Sequence, residues 1–144
     1  MTVGNRRSGR AYALQLLYAR DGDLATDVAG AATSWADAFD LEVDPEAQRF
    51  ARELVAAAAA HDAKIDELVG LASKNWRIDR MSRVDRNILR LGACELIAFR
   101  AVPVKVVINE AVELAKRFGT AESSAFVNGV LDRIASAVGR QPED

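Results

Sequence analysis

Apolar residues recur every three or four positions along almost the whole chain, which is the spacing of one face of an α-helix. Only three prolines and nine glycines interrupt the pattern. The pattern therefore predicts an all-α protein of about six to seven helices. A first helix is expected around residues 6–20, and a second over Leu24 to Phe39.

A long third helix is predicted to begin at Asp44 and Pro45, which supply an N-cap and a first-turn proline. Its apolar stripe runs from Phe50 to Ala72 and includes His61. No serine or cysteine nucleophile arrangement is visible near His61. We therefore expect His61 to be a buried packing residue rather than a catalytic one.

The second half of the chain predicts a connector and three further helices. Residues 73–81 are polar and irregular, so they indicate a connector with one turn of helix, anchored by Trp76 and Ile78. One helix is expected to start near Ser82, and the last near Ser123 or Ser124. Between them lies an amphipathic helix with the apolar positions Val107, Ile108, Ala111, Leu114, Ala115 and Phe118, which Gly119 is expected to end as the residue just past the helix.

The chain has 144 residues, which fits one domain over 1–144. Half of the residues are hydrophobic and 28% are charged, a mixture that excludes wholesale disorder. The longest apolar run, Leu54 to Ala60, is far shorter than the about twenty residues of a membrane span. No apolar stretch of signal-peptide length follows the first residues, so the sequence predicts a cytoplasmic protein.

Enzyme signatures are absent from the sequence. There is no Gly-rich phosphate loop, no His-Glu-x-x-His and no Gly-x-Ser-x-Gly motif. Cys94 and His61 alone cannot build a structural zinc site, and Glu95, on an apolar face, has no paired acid. We therefore expect no catalytic residue, no metal and no cofactor, and hence a binding module.

Charge is segregated along the chain although the net charge is -2. Residues 1–20 carry four arginines and no acid, residues 21–73 are strongly acidic, and residues 74–100 are again basic. Arg6, Arg7 and Arg10 share one stripe of the first helix, where they could meet successive phosphates of a single strand. Solvated helix faces are the competing interpretation of these arginines.

Three segments resemble the NusB family of bacterial transcription antitermination factors: RRSGRAYALQLLYA, SRVDRNILRLGACELIAFRAVPVKVVINEAVELAKRFG and SSAFVNGVLDRIA. The resemblance implies an all-helical fold of two small packed helical subdomains. It also implies binding of boxA-type single-stranded RNA of ribosomal RNA transcripts together with NusE, a ribosomal protein. Other antitermination factors and RNA polymerase are then indirect partners, and the result is processive transcription.

The resemblance also implies which residues contact each partner. Arg6, Arg7 and Arg10 are expected at the RNA, although Ser8 and Gly9 stand where many relatives have further basic residues. Tyr18 and Asp85 are expected to face NusE, a basic partner that suits a carboxylate. The residues before VNGVLD, Glu122 and Phe126, are expected near the RNA.

Phe126 has two interpretations from the sequence. Periodicity favours a core residue, but the ring flanks the apolar arc and has Gly129 and Arg133 on its outward side. That grouping suits an aromatic platform for a base, with the Arg133 guanidinium at a phosphate.

Two other functions stay open at this point. A similar helical domain stands at the front of ribosomal RNA cytosine methyltransferases, so the chain could be a fragment of such an enzyme. It could also be a helical protein-protein adaptor without an RNA role, as its acidic block suggests. The sequence leaves open whether the protein is a monomer or a homodimer.

Overall fold

The computed structural model describes residues 3–22, 44–74, 76–141 and 143. Over these residues the protein contains α-helices, one short 3-10 helix and no strand, so the predicted all-α class is confirmed. The helices are α1 (Val3–Gly22), α2 (Pro45–Ala60), α3 (Asp62–Ala72), α4 (Arg83–Ala98), α5 (Val104–Phe118) and α6 (Ser123–Ala137), with the 3-10 turn at Ile78–Arg80. The helix predicted over Leu24 to Phe39 lies outside the described residues.

The chain forms two compact units, Met1–Ala56 and Ala57–Asp144, in line with the two small subdomains that were expected. That the whole chain acts as one domain stays a prediction. In the first unit, α1 and α2 approach closely at Gly9, where an added Cβ would lie 2.9 Å from Phe50 Cδ2 and 3.0 Å from the Ala47 carbonyl oxygen. A larger residue at Gly9 would push the two helices apart.

The second unit is built around α4. Helices α4, α5 and α6 all pack on one another, and α3 packs against α4 and α6. From Asn87 to Leu96 every residue of α4 except Arg90 is buried. Arg90 forms a bidentate ion pair with Asp66 of α3: Nε lies 2.9 Å from Oδ1, and Nη2 lies 3.2 Å from Oδ2. No helix of the described residues is long and apolar enough to cross a membrane.

Three predicted helix starts are confirmed by the structure. Pro45 is the first residue of α2, and Asp44 Oδ1 accepts a hydrogen bond from the Glu46 amide at 2.8 Å. Ser82 caps α4, because its Oγ accepts from the Asp85 amide at 3.0 Å. The last helix begins at Ser123, and the connector before α4 contains the single 3-10 turn that was predicted.

The prediction of one long third helix with a buried His61 is wrong. The helix ends at Ala60 and a new one begins at Asp62, with His61 exposed between them. The stripe from Phe50 to Ala72 assumed a constant helical phase. The stripe residues on both sides of the break, such as Leu54 and Ile65, are buried, whereas His61 is exposed because it occupies the break itself.

The end of α5 also differs from its prediction. Gly119 does follow the last helical residue, but its φ of -100° lies outside the left-handed region. The chain instead turns through Thr120, whose amide donates to Ser123 Oγ at 2.9 Å. Phe118 is 37% exposed rather than part of the apolar face, and the Arg117 guanidinium lies 4.9 Å from its ring centroid.

Arg140 fixes the loop between α4 and α5 from the far end of the chain. Gly139, with φ 75°, reverses the backbone after α6 in a conformation that favours glycine. Arg140 is then 3% exposed, and its guanidinium donates to the carbonyls of Leu96, Arg100 and Val102 at 3.3, 3.1 and 2.8 Å. These bonds satisfy carbonyls that the end of α4 and the following loop leave open.

We expect Arg140→Ala to lower the free energy of unfolding by about 3 kcal/mol, because three buried carbonyls lose a charged donor. Chemical denaturation followed by circular dichroism measures the change. Arg100→Ala is the matched control, since the Arg100 side chain is on the exposed surface of the same loop. Equal stability of the two variants would contradict the anchoring role of Arg140.

Candidate nucleic-acid interface

The second unit has a surface cleft with a volume of about 380 Å³. Three stretches of chain form it: the connector after α3, the start of α4 and the start of α6. The lining residues are Trp76, Arg80, Met81, Ser82, Asp85, Glu122 and Phe126. The cleft thus brings together three residues that the sequence singled out, Asp85, Glu122 and Phe126.

Phe126 is half-buried and lines this cleft, and it is not part of the fully buried core. The next residue, Val127, is completely buried, as is Val130 one turn later. Helix α6 therefore turns its apolar stripe into the unit and leaves the Phe126 ring at the edge. This placement agrees with the aromatic-platform interpretation more closely than with the core interpretation.

Asp85 lies in the first turn of α4, where the helix dipole favours a carboxylate. Its amide donates to the Ser82 hydroxyl, but its Oδ1 atom is buried and has no hydrogen-bond partner among the described residues. A buried polar atom without a partner costs about 1–3 kcal/mol, so a donor supplied by a binding partner would relieve this cost.

Glu122 is exposed and stands directly before α6. Its Oε2 accepts a hydrogen bond from Thr120 Oγ1 at 3.2 Å, which holds the carboxylate beside the turn. Glu122 and Asp85 give the cleft two carboxylates that accept hydrogen bonds, and Arg80 gives it a cation that can bind a phosphate.

Two lining residues were missed as site residues by the sequence analysis. Trp76 was expected to be an anchor of the connector, yet it is 57% exposed. Arg80 is exposed on the 3-10 turn. The signal in the sequence was an aromatic and an arginine in a polar connector, and only the fold shows that both reach the cleft.

Arg133 is exposed beside Gly129, as expected, but it does not line the cleft. Its Nε donates to the Ala72 carbonyl at 2.6 Å, which ties α6 to the end of α3. Within the described residues, Arg80 is the cation that lines the cleft, and a phosphate contact of Arg133 stays a prediction.

The arginines of α1 lie in the first unit, and the structure separates them into two kinds. Arg6 and Arg7 are exposed, but Arg10 is only 3% exposed. The guanidinium carbons of Arg6 and Arg10 lie 5.2 and 5.4 Å from the centroid of the Phe50 ring. Both arginines thus make a cation-π contact with Phe50, but Arg10 is also covered, and its role at the RNA stays a prediction.

Tyr18 is partly exposed on α1, also in the first unit. The sequence grouped it with Asp85 as a residue facing NusE. The structure places Asp85 in the cleft with Glu122 and Phe126, the two residues expected at the RNA. Tyr18 and Asp85, the two residues expected at NusE, therefore lie in different units, and their contact with NusE stays a prediction.

Chemically reactive groups are held out of reach. Burial, with a smaller contribution from Glu95, raises the pKa of the Cys94 thiol to about 12, so it is not a thiolate nucleophile at neutral pH. Within the described residues, no group of three or more histidine, cysteine and acidic side chains could hold a metal ion. The fold and the cleft together define a helical binding module.

Comparisons with known proteins identify the class more closely. The sequence model of the NusB family matches residues 7–136. The transcription antitermination protein NusB of Myxococcus xanthus (strain DK1622) is 51% identical over 139 residues, 96% of this chain and 99% of that protein. The chain belongs to the NusB family.

Solved structures agree with this assignment. The NusB structure of T. maritima superposes with a TM-score of 0.80 at 35% identity, covering 91% of this chain and 90% of that one. A second structure, of antitermination factors NusB and NusE in complex with dsRNA, gives a TM-score of 0.81 at 29% identity and covers 94% and 99% of the two chains.

The two exposed arginines of α1 generate a prediction about salt dependence. A single-stranded RNA contact releases about 0.7 counterion per phosphate, so Arg6→Ala with Arg7→Ala should flatten the plot of log affinity against log salt by about 1.4 units. RNA affinity measured at several salt concentrations tests this. Arg10→Ala is the internal comparison: we expect an unchanged slope and a lower melting temperature. A flattened slope in Arg10→Ala would show that Arg10 also contacts a phosphate.

Proposed function

We propose that this protein is a transcription antitermination factor that binds boxA-type single-stranded RNA of ribosomal RNA transcripts together with NusE and supports processive transcription. The observation that carries the proposal is the cleft that half-buried Phe126 and exposed Glu122, at the start of α6, line together with Asp85. Other antitermination factors and RNA polymerase are indirect partners. Such a factor performs no catalysis and acts in the cytoplasm, where transcription takes place.

An open aromatic face supports an unpaired strand as the ligand. Bases in a duplex are stacked on both sides, whereas unpaired bases can be splayed out onto an aromatic side chain. The similar complex of NusB and NusE contains dsRNA. Both forms of RNA therefore belong in the experiment, and we expect tighter binding of the single strand.

The proposal is tested by measuring binding of a boxA-like single strand, a scrambled strand and a duplex, each with and without NusE. We expect the boxA-like strand to bind most tightly and NusE to increase its affinity. Equal binding of all three RNAs would contradict the proposal. Binding of NusE by a protein that binds none of the three RNAs would favour the adaptor. The methyltransferase alternative is less favoured, because the similar proteins are named antitermination proteins.

Phe126→Ala tests the aromatic platform. Because the ring is half-buried at the cleft, its loss should lower RNA affinity by about 1–3 kcal/mol, with a small change in melting temperature. Affinity is measured by fluorescence anisotropy of a labelled strand, and stability by circular dichroism. A loss of roughly 3–5 kcal/mol of folding stability would show instead that Phe126 acts as a core residue.

Asp85→Arg tests the expected contact with NusE. We expect this change to weaken NusE binding by about 2 kcal/mol, because a carboxylate facing a basic partner is replaced by a like charge. Calorimetry of NusE binding measures the change, and Arg86→Ala, at the adjacent position, is the comparison variant. Unchanged NusE affinity together with altered RNA affinity would assign Asp85 to the RNA instead.

A further inference from the structure

Trp76 is one of the large hydrophobic side chains that the described part of the structure leaves exposed. Its side chain is 57% exposed on the connector between α3 and α4, and it lines the cleft together with Phe126. Leu71, near the end of α3, is even more exposed at 71% but does not line the cleft. Leu71 is thus an exposed apolar residue away from the cleft, and Trp76 is an exposed apolar residue at the cleft.

The backbone around Trp76 is held in place at both of its polar groups. The Trp76 amide donates to the Ser73 carbonyl at 3.2 Å, and the Trp76 carbonyl accepts from Ser73 Oγ at 2.8 Å. Ser73 is itself 5% exposed. Lys74 adopts φ 55° in this turn, a left-handed conformation that is unfavourable for a residue with a side chain. The turn thus holds the Trp76 backbone in position at the cleft before any ligand arrives.

The cleft has the chemistry of a site for one flat ring with hydrogen-bond donors at its edge. Its walls include the aromatic side chains of Trp76 and Phe126, and its polar atoms include the carboxylates of Asp85 and Glu122. Carboxylates accept hydrogen bonds from amino groups and repel phosphate. Its volume of about 380 Å³ is at the small end of ligand pockets, which begin near about 300 Å³.

We propose that Trp76 is a second stacking residue, and that the cleft takes one unpaired nucleobase of the bound RNA in contact with both Trp76 and Phe126. The inference rests on the proposed RNA-binding function and adds a residue and an occupant to it. Arg80, exposed at the same cleft, meets the phosphate next to that base. An aliphatic side chain of a protein partner fits less well, because it would supply no donor to the buried Asp85 Oδ1.

The test measures affinity for a boxA-like single strand in Trp76→Ala, Trp76→Phe, Phe126→Ala and the double variant Trp76→Ala/Phe126→Ala. We expect Trp76→Ala to weaken binding roughly 5- to 150-fold, the effect of losing one stacked base. Trp76→Phe should restore most of the affinity. The double variant should lose much less than the product of the two single losses, because both rings contact the same base. Leu71→Ala is the matched control and should stay within about two-fold of the parent.

A second measurement locates the base. In a series of strands with one abasic nucleotide at successive positions, one position should abolish the difference between the parent protein and Trp76→Ala. The melting temperature of each variant, measured by circular dichroism, checks that a loss of RNA affinity does not come from unfolding.

The outcomes separate this inference from the proposed function. Normal RNA affinity in Trp76→Ala with reduced affinity in Phe126→Ala would overturn the role of Trp76 and leave RNA binding intact. Losses that multiply in the double variant would show that the two rings do not share one base. Reduced NusE affinity in Trp76→Ala with normal RNA affinity would make the cleft a protein pocket. No RNA binding by the parent chain would remove the proposed function itself.

Discussion

Burial of α4 by α3, α5 and α6 is the constraint on which the second unit depends. A helix enclosed on several sides can leave few of its backbone groups unsatisfied, and those groups are concentrated at its two ends. At the end of α4, the Leu96 carbonyl accepts from the Arg140 guanidinium. At its start, the Ser82 hydroxyl caps the Asp85 amide. The polar backbone groups at the two ends of α4 are therefore bound by side chains of neighbouring segments.

The cleft lies at the start of α4, where enclosure by the other helices stops. The first turn of α4 and the first turn of α6 both contribute to it, and the connector passes beside them. Phe126 and Trp76 remain accessible there, because the apolar stripes of the helices are satisfied deeper in the unit. A rigid, buried helix thus supports a site made largely from residues at helix starts and in a connector, which is a common arrangement for binding sites.

Arginine shows how environment decides the role of one residue type. Arg10 is buried beside Phe50, and Arg140 is buried among carbonyl oxygens, so both stabilise the fold. Arg133 is bound to the Ala72 carbonyl. Arg6 and Arg7 are exposed on α1, and Arg80 is exposed at the cleft. A guanidinium combines a charge with a flat apolar face. It can therefore pack and donate hydrogen bonds when buried, and bind phosphates when exposed.

Sequence alone determined the helical class and the starts at Pro45, near Ser82 and at Ser123, because periodicity and capping chemistry are local properties. It also proposed Glu122 and Phe126 as site residues, from motif resemblance. It was wrong at His61, which is exposed in the break between two helices, because the apolar pattern continues across that break and does not reveal it. Only the tertiary structure decided that Arg10 is covered, that Trp76 is exposed, and that Asp85 joins Phe126 in one cleft. Burial and proximity depend on which elements pack together, and residues far apart in the chain decide that.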